Sequence, residues 1–118
     1  MIEAESKSQG SIVQLFTTVD TREAAESIAH ELVERRLAGC VQIGGPVCST
    51  YSWDGCIEQS MEFRLTVKTT KVKLDELIEK LTLLHPYDTP EILWFEVSAS
   101  SSYFSWLSEY LGTQSRLS

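Results

Sequence analysis

Tyr51-Ser52-Trp53-Asp54-Gly55-Cys56-Ile57 is the stretch on which the fold turns. Asp54-Gly55 predicts a two-residue hairpin turn, because both central positions need a positive φ that Asp and Gly tolerate. On its C-terminal side Ile57, Met61, Phe63, Leu65 and Val67 alternate, beyond a lapse at Gln59, with Glu58, Ser60, Glu62, Arg64, Thr66 and Lys68. A period of two marks a strand half-buried on one face. On its N-terminal side residues 40–43 start the partner strand. Gly44-Gly45-Pro46 interrupts it as a bulge or bend, and pairing resumes over residues 47–53.

Working outward, residues 11–18 predict a first strand, with Ile12, Val13, Leu15 and Phe16 in a short β-rich run. Asp20 stands three residues before Glu23, the spacing of a capping box with Asp as the cap. Ala25, Ile28, Ala29, Leu32, Val33 and Leu37 follow at helical spacing, so a helix is expected over residues 21–37, stopped by Gly39. Residues 71–84 predict a second helix, with Leu74, Leu77, Ile78, Leu81 and Leu84 in one stripe. His85-Pro86 ends it, because the Pro86 ring disfavours helical geometry at His85. A last strand over residues 91–97 leads through a serine-rich turn to a short helix carrying Tyr103, Trp106, Leu107 and Tyr110, ended by Gly112. The order is that of an α+β, ferredoxin-like βαββαβ sandwich with an extra C-terminal helix. Both main helices then cover one face of a four-stranded antiparallel sheet. Residues 11–112 form a single domain, flanked by flexible tails at residues 1–10 and 113–118.

The last strand is apolar on both sides: Ile92 and Trp94 face one way, Leu93, Phe95 and Val97 the other. Such a strand expects cover on both faces. The simplest source is another copy of the chain in a closed symmetric ring, with the hairpin bearing Tyr51 and Trp53 reaching a neighbour.

The chain has 118 residues, enough for one domain. Its net charge of −7 argues against nonspecific nucleic-acid binding, which needs clustered Lys and Arg. No apolar run is long enough to span a bilayer, and the polar first ten residues lack a secretory pattern, which predicts a cytoplasmic protein with no membrane partner. Cys40, Cys48 and Cys56 are odd in number and show no C-x-x-C spacing, so reduced thiols are expected rather than disulfides or structural zinc.

The chain resembles the CutA divalent-cation tolerance family from about Ile12 to Gly112. The matching pieces are Glu34-Arg35-Arg36-Leu37-Ala38-Gly39-Cys40-Val41, Tyr51-Ser52-Trp53-Asp54-Gly55 with Ile57, Glu62 with Lys68-Thr69, and His85-Pro86-Tyr87 with Pro90-Glu91-Ile92. The resemblance implies a ferredoxin-like fold in a tight homotrimer, sheets packed around the threefold axis, and an association with tolerance of divalent metals, chiefly copper. It also implies a likeness in shape to the PII nitrogen-signalling trimers. Two departures stand out. Asp88 lies where many members carry Glu, and Phe16-Thr17-Thr18 lies where some bacterial members carry a Cys proposed as a copper ligand.

Three constellations carry candidate chemistry. Cys40, Glu62 and His85 offer thiolate, carboxylate and imidazole, donors suited to copper or zinc. Read structurally, the same residues are a small buried hydrophobe, an ion-pair partner and a helix-end cap. Tyr51, Trp53, Lys68, His85, Tyr87 and Glu91 combine aromatic walls with polar groups, as a pocket between subunits would. Interface packing, in which Trp and Tyr are enriched, is the plainer reading of those aromatics, and the two readings are compatible because pockets often form at interfaces. Glu26, His30 and Glu34 share a helix face and read as a solvated surface. His85 with Glu62 or Asp88 would be the acid–base pair of an enzyme, but no nucleophile elbow, phosphate loop or hydrolase motif accompanies it, so no enzyme is expected. The sequence thus points to a non-enzymatic homotrimer with no required cofactor and copper or another divalent ion as its metal. The alternatives are a PII-like trimer sensing a small ligand at inter-subunit clefts and an adaptor trimer whose protein partner is unknown.

Overall fold

A computed structural model describes residues 8–112. The order is β1 (Ser8–Val19), α1 (Arg22–Glu34), β2 (Cys40–Trp53), β3 (Cys56–Thr69), α2 (Lys71–Leu84), β4 (Leu93–Ser100) and α3 (Ser101–Gly112). The strands form one antiparallel sheet in the order β2-β3-β1-β4. This is the expected ferredoxin-like sandwich with its added helix. β1 begins inside the stretch expected to be a tail, because Gly10 pairs with Ala99 and Ser11 with Ser98. The tail expectations for residues 1–7 and 113–118 lie outside the described residues.

The ends of α1 differ from the sequence reading. Thr21, not Asp20, is the N-cap: it is extended, and its Oγ1 accepts the Ala24 N–H at 3.0 Å. That bond satisfies one of the helix's orphan donors. The helix stops at Glu34 because Arg36 turns left-handed, with φ 57°. The Leu37 N–H then donates to Leu32 O at 2.9 Å and the Arg36 N–H to Val33 O at 3.0 Å. This pair of bonds is a Schellman closure, and Leu37 folds back into the core. Gly39 therefore serves packing rather than termination: a Cβ there would lie 2.2 Å from Leu107 Cδ1 of α3.

The hairpin turn follows expectation, with Asp54 at φ 54° and Gly55 at φ 82°. The β2–β3 register shifts between Gly44 and Val47, where the sequence interrupts the strand. The second helix matches its predicted span. β4 starts at Leu93 and runs on to Ser100, later than predicted, because its pairing with β1 sets its limits: Leu93 lies opposite Phe16 and Ala99 opposite Gly10.

The core lies between α1, α2 and the sheet. Leu15 and Val19, Leu65 and Val67, Ala25, Ile28 and Leu32, and Leu77 and Leu81 are all buried there. Each such leucine stabilises the fold by roughly 1.5–3 kcal/mol relative to exposure. A second cluster sits on the opposite face, where α3 lays Leu107 and Leu111 over Ile12. α3 covers only that end. Farther along β4, Leu93, Trp94 and Phe95 remain 57%, 48% and 46% exposed, and Phe95 stacks on Phe16 with ring centroids 5.8 Å apart. Trp94 pairs with Leu15 and so lies on the helix-covered face, whereas Leu93 and Phe95 lie on the other. β4 is thus apolar and open on both sides.

The hairpin also projects. β1 pairs with β3 only from Phe63 onward, whereas β2 pairs with β3 as far as Cys56. The outer half of the hairpin is therefore a two-stranded arm, and the molecule measures 56 × 35 × 21 Å. Trp53 and Ile57 at its tip are 64% and 75% exposed.

Candidate functional site

The polar cluster begins with the parity of β1. Val13, Leu15, Thr17 and Val19 share the core-facing side of the strand, and Thr17 is the one polar residue among them, fully buried. A hydroxyl at a core position needs a partner. His85 provides it from the C-terminal cap of α2, where the following proline has already turned the chain out of the helix.

His85 Nε2 lies 3.0 Å from Thr17 Oγ1, and the Tyr87 backbone N–H donates to His85 Nδ1 at 3.2 Å. A backbone N–H can only donate, so Nδ1 is the bare nitrogen. The ring is then neutral with its proton on Nε2, which donates to Thr17 Oγ1. Burial pushes the His85 imidazole below the ordinary histidine value. The Thr18 backbone carbonyl and the charges of Asp20 and Glu62 pull in the opposite direction, more weakly.

Tyr87 stands beside His85, ring centroids 4.9 Å apart, and its hydroxyl donates to Glu62 Oε2 at 2.7 Å. Burial raises the Tyr87 phenol, reinforced by the hydrogen bond to Glu62 and by the Glu62, Asp20 and Tyr51 groups. Glu62 is itself 9% exposed, and Tyr87 is its hydrogen-bond partner among the described residues. Thr17, Glu62, His85 and Tyr87 thus form a connected network where β1, β3 and the end of α2 meet, with Asp20 and Tyr51 nearby. Chemically it is an acidic, aromatic corner with a neutral imidazole held by both nitrogens. Such a corner suits holding a cationic or hydrogen-bonding group more than moving a proton.

The structure brings together only part of each predicted set. Cys40 pairs across the ladder with Lys68, and Glu62 with Val47. Lys68 and Glu62 are six positions apart on β3, roughly 20 Å at about 3.3 Å per residue. One chain therefore does not gather Cys40, Glu62 and His85 into a coordination shell, whose bonds are about 2.0–2.3 Å long. Among the described residues no group of three His, Cys, Asp or Glu side chains is placed to hold a metal ion. Of the predicted pocket residues, His85 and Tyr87 are in contact and Tyr51 lies near them. Lys68 sits at the other end of the sheet, where its Nζ donates to Gln42 Oε1 at 2.6 Å. Trp53 is at the arm's tip, and Glu91 is exposed in the loop before β4. His30 and Glu34 pair at 3.1 Å on the exposed face of α1, as a solvated surface would. Thr17 and Asp20 were missed as members of the cluster. The signal for Thr17 was available: a lone hydroxyl on the apolar side of an otherwise alternating strand.

Residues 13–110 match the model of the CutA1 divalent ion tolerance protein family. The divalent-cation tolerance protein CutA of Thermus thermophilus is 41% identical over 99 residues, covering 83% of this chain and 96% of that protein. The chloroplastic protein CutA of Arabidopsis thaliana is 36% identical over 107 residues, covering 90% of this chain; the chain spans 58% of that relative's length. The solved structure of the periplasmic divalent cation tolerance protein CutA from Archaeoglobus fulgidus superposes with a TM-score of 0.80 at 32% identity, covering 86% of this chain and 99% of that one.

Proposed function

From the chain's membership of the CutA1 divalent ion tolerance protein family, which its sequence and fold establish, we propose that it acts in the cytoplasm as a non-catalytic homotrimer in the response to divalent metal ions. The observation that carries the assembly is the open surface of β4 together with the projecting arm. An isolated two-stranded hairpin is marginal in water, and exposed apolar strands seek cover. A second and third copy offer that cover to both features at once, with the arm of one lying over the sheet of the next. The absence of a catalytic role is supported by His85, whose two ring nitrogens are both engaged and whose proton is already shared with Thr17.

For the metal, the acidic corner of Glu62 and Asp20 beside His85 supports attraction of a cation. A site using all three predicted donors takes Cys40 from a neighbouring copy and needs His85 Nδ1 to exchange the Tyr87 N–H for the metal. Copper(II) is the ion to test, because nitrogen and oxygen donors hold it more strongly than other first-row divalent ions. A second reading, a small-ligand sensor at the subunit clefts, is favoured by the Thr17–His85–Tyr87–Glu62 network, since a few fixed polar groups among aromatics are what ligand pockets use.

Light scattering should give three times the 13.3 kDa chain mass, and a stable monomer at micromolar concentration would remove the proposal's basis. Calorimetric titration of the assembled protein with copper(II) should saturate, and weaken in Glu62→Gln and His85→Ala. Unchanged binding in both variants rejects this corner as the metal's place.

A further inference from the structure

At the opposite end of α2 from His85, a cavity of about 380 Å³ opens beside the first turn of the helix. Its walls include Ser11, Thr70, Lys71, Lys73, Phe104 and Leu111. We propose that this cavity binds a free small molecule carrying one carboxylate and an apolar group.

Three observations converge on that chemistry. The first is Lys73, which lines the cavity, is only 9% exposed, and has no side-chain hydrogen bond or ion pair among the described residues. A lysine this buried and without a charged partner is costly, and a bound anion relieves that cost. The second is the helix start. Thr70 is the N-cap, yet its side chain makes no capping bond, and the first turn holds no acidic residue. The Lys73 N–H is taken by Thr70 O at 3.1 Å. The N–H groups of Lys71 and Val72 precede any acceptor the helix itself supplies, and with the positive end of the helix dipole they favour an anion. The third is the wall opposite. Phe104 and Leu111 of α3 are apolar, and the Phe104 ring is packed so close to Gly10 that a Cβ there would lie 2.6 Å from it. That wall is fixed and suits an aromatic or branched group.

Charge selects the anion. Lys71 Nζ is already paired with Glu96 Oε2 at 3.1 Å, so Lys73 is the lysine left to be neutralised. One free ammonium calls for one negative charge, and a phosphate dianion beside Glu96 would leave charge unbalanced. The volume is near the lower end of ligand pockets, which run from about 300 Å³ upward.

The test uses the full chain in its native assembly and follows NMR shifts on titration with 3-phenylpropionate. Saturable shifts should map to Thr70, Lys71, Lys73 and Leu111. Neutral 3-phenylpropan-1-ol should bind at least tenfold more weakly, as should phenyl phosphate. Lys73→Met keeps the aliphatic stem and removes the charge; it should weaken 3-phenylpropionate at least tenfold while leaving the melting temperature undiminished. Ser108→Phe fills the cavity from α3 with the lysine intact, and should abolish binding. The proposal is overturned by any of four results: no saturable shifts at these residues up to millimolar acid, equal affinity for the alcohol, unchanged affinity in K73M, or unchanged affinity in S108F. Tighter binding of phenyl phosphate overturns the single-charge assignment.

Discussion

At the scale of single residues, the pair Thr17 and His85 is where burial and hydrogen bonding meet most sharply. Thr17→Val removes the hydroxyl that accepts the His85 Nε2–H and leaves the Thr18 carbonyl as its remaining acceptor. The cost expected is about 0.5–1.5 kcal/mol, the net worth of one intramolecular hydrogen bond. Thr17→Ser keeps the hydroxyl and should lose about 0.8 kcal/mol, the worth of one buried methyl. Chemical denaturation of the two variants against the parent checks the difference. His85 also makes stability depend on pH. Its folded value lies below its unfolded one, so between the two the unfolded chain binds more protons. Stability should therefore be intact above about pH 7, fall as pH drops through the ordinary histidine range, and level off once the folded value is passed. Urea midpoints from pH 8 to pH 5 should show this slope in the parent and a flatter line in His85→Gln. An equal slope in both would assign the effect elsewhere.

At the scale of elements, two contacts decide how the secondary structure is joined. α3 seats against the loop after α1 because Gly39 carries no side chain where Leu107 arrives. Gly39→Ala should cost about 1–3 kcal/mol by overpacking, read as a lower melting temperature, with Leu107→Ala in the same chain restoring none of the lost α3 packing. Arg36 reinforces the same joint: its guanidinium lies 4.5 Å from the Tyr110 ring centroid and donates to Tyr110 O at 3.1 Å, while the Tyr110 hydroxyl donates to Val33 O at 2.6 Å. The left-handed turn that ends α1 is what aims Arg36 at α3. A sequence reader sees Gly39 and assigns it the left-handed role, because glycine is the usual occupant. The tertiary contact with Leu107 is a competing demand on the same glycine, and it is invisible in a one-dimensional pattern.

At the scale of the whole molecule, the open β4 and the projecting arm set the expected behaviour. Phe95→Lys places a charge on the exposed apolar sheet surface without touching the helix-covered core. It should shift light scattering at micromolar concentration toward the 13.3 kDa single chain while far-ultraviolet circular dichroism stays that of a folded protein. A mass unchanged from the parent would mean that β4 is not where copies meet. Much of this architecture was legible beforehand. The alternation from Ile57 to Val67, the Asp54-Gly55 turn, the leucine stripe of α2 and the doubly apolar last strand are local patterns, and local patterns follow from side-chain period and turn chemistry alone. They determined the element order, the sandwich and the uncovered strand. Folding in three dimensions decided what lies next to what. It set Cys40 and Lys68 at one end of the sheet and Glu62 with His85 and Tyr87 at the other, and it buried Lys73 beside α3. The reason is that strand register and helix docking sum the preferences of residues far apart in the chain, and no spacing within a single segment encodes that sum.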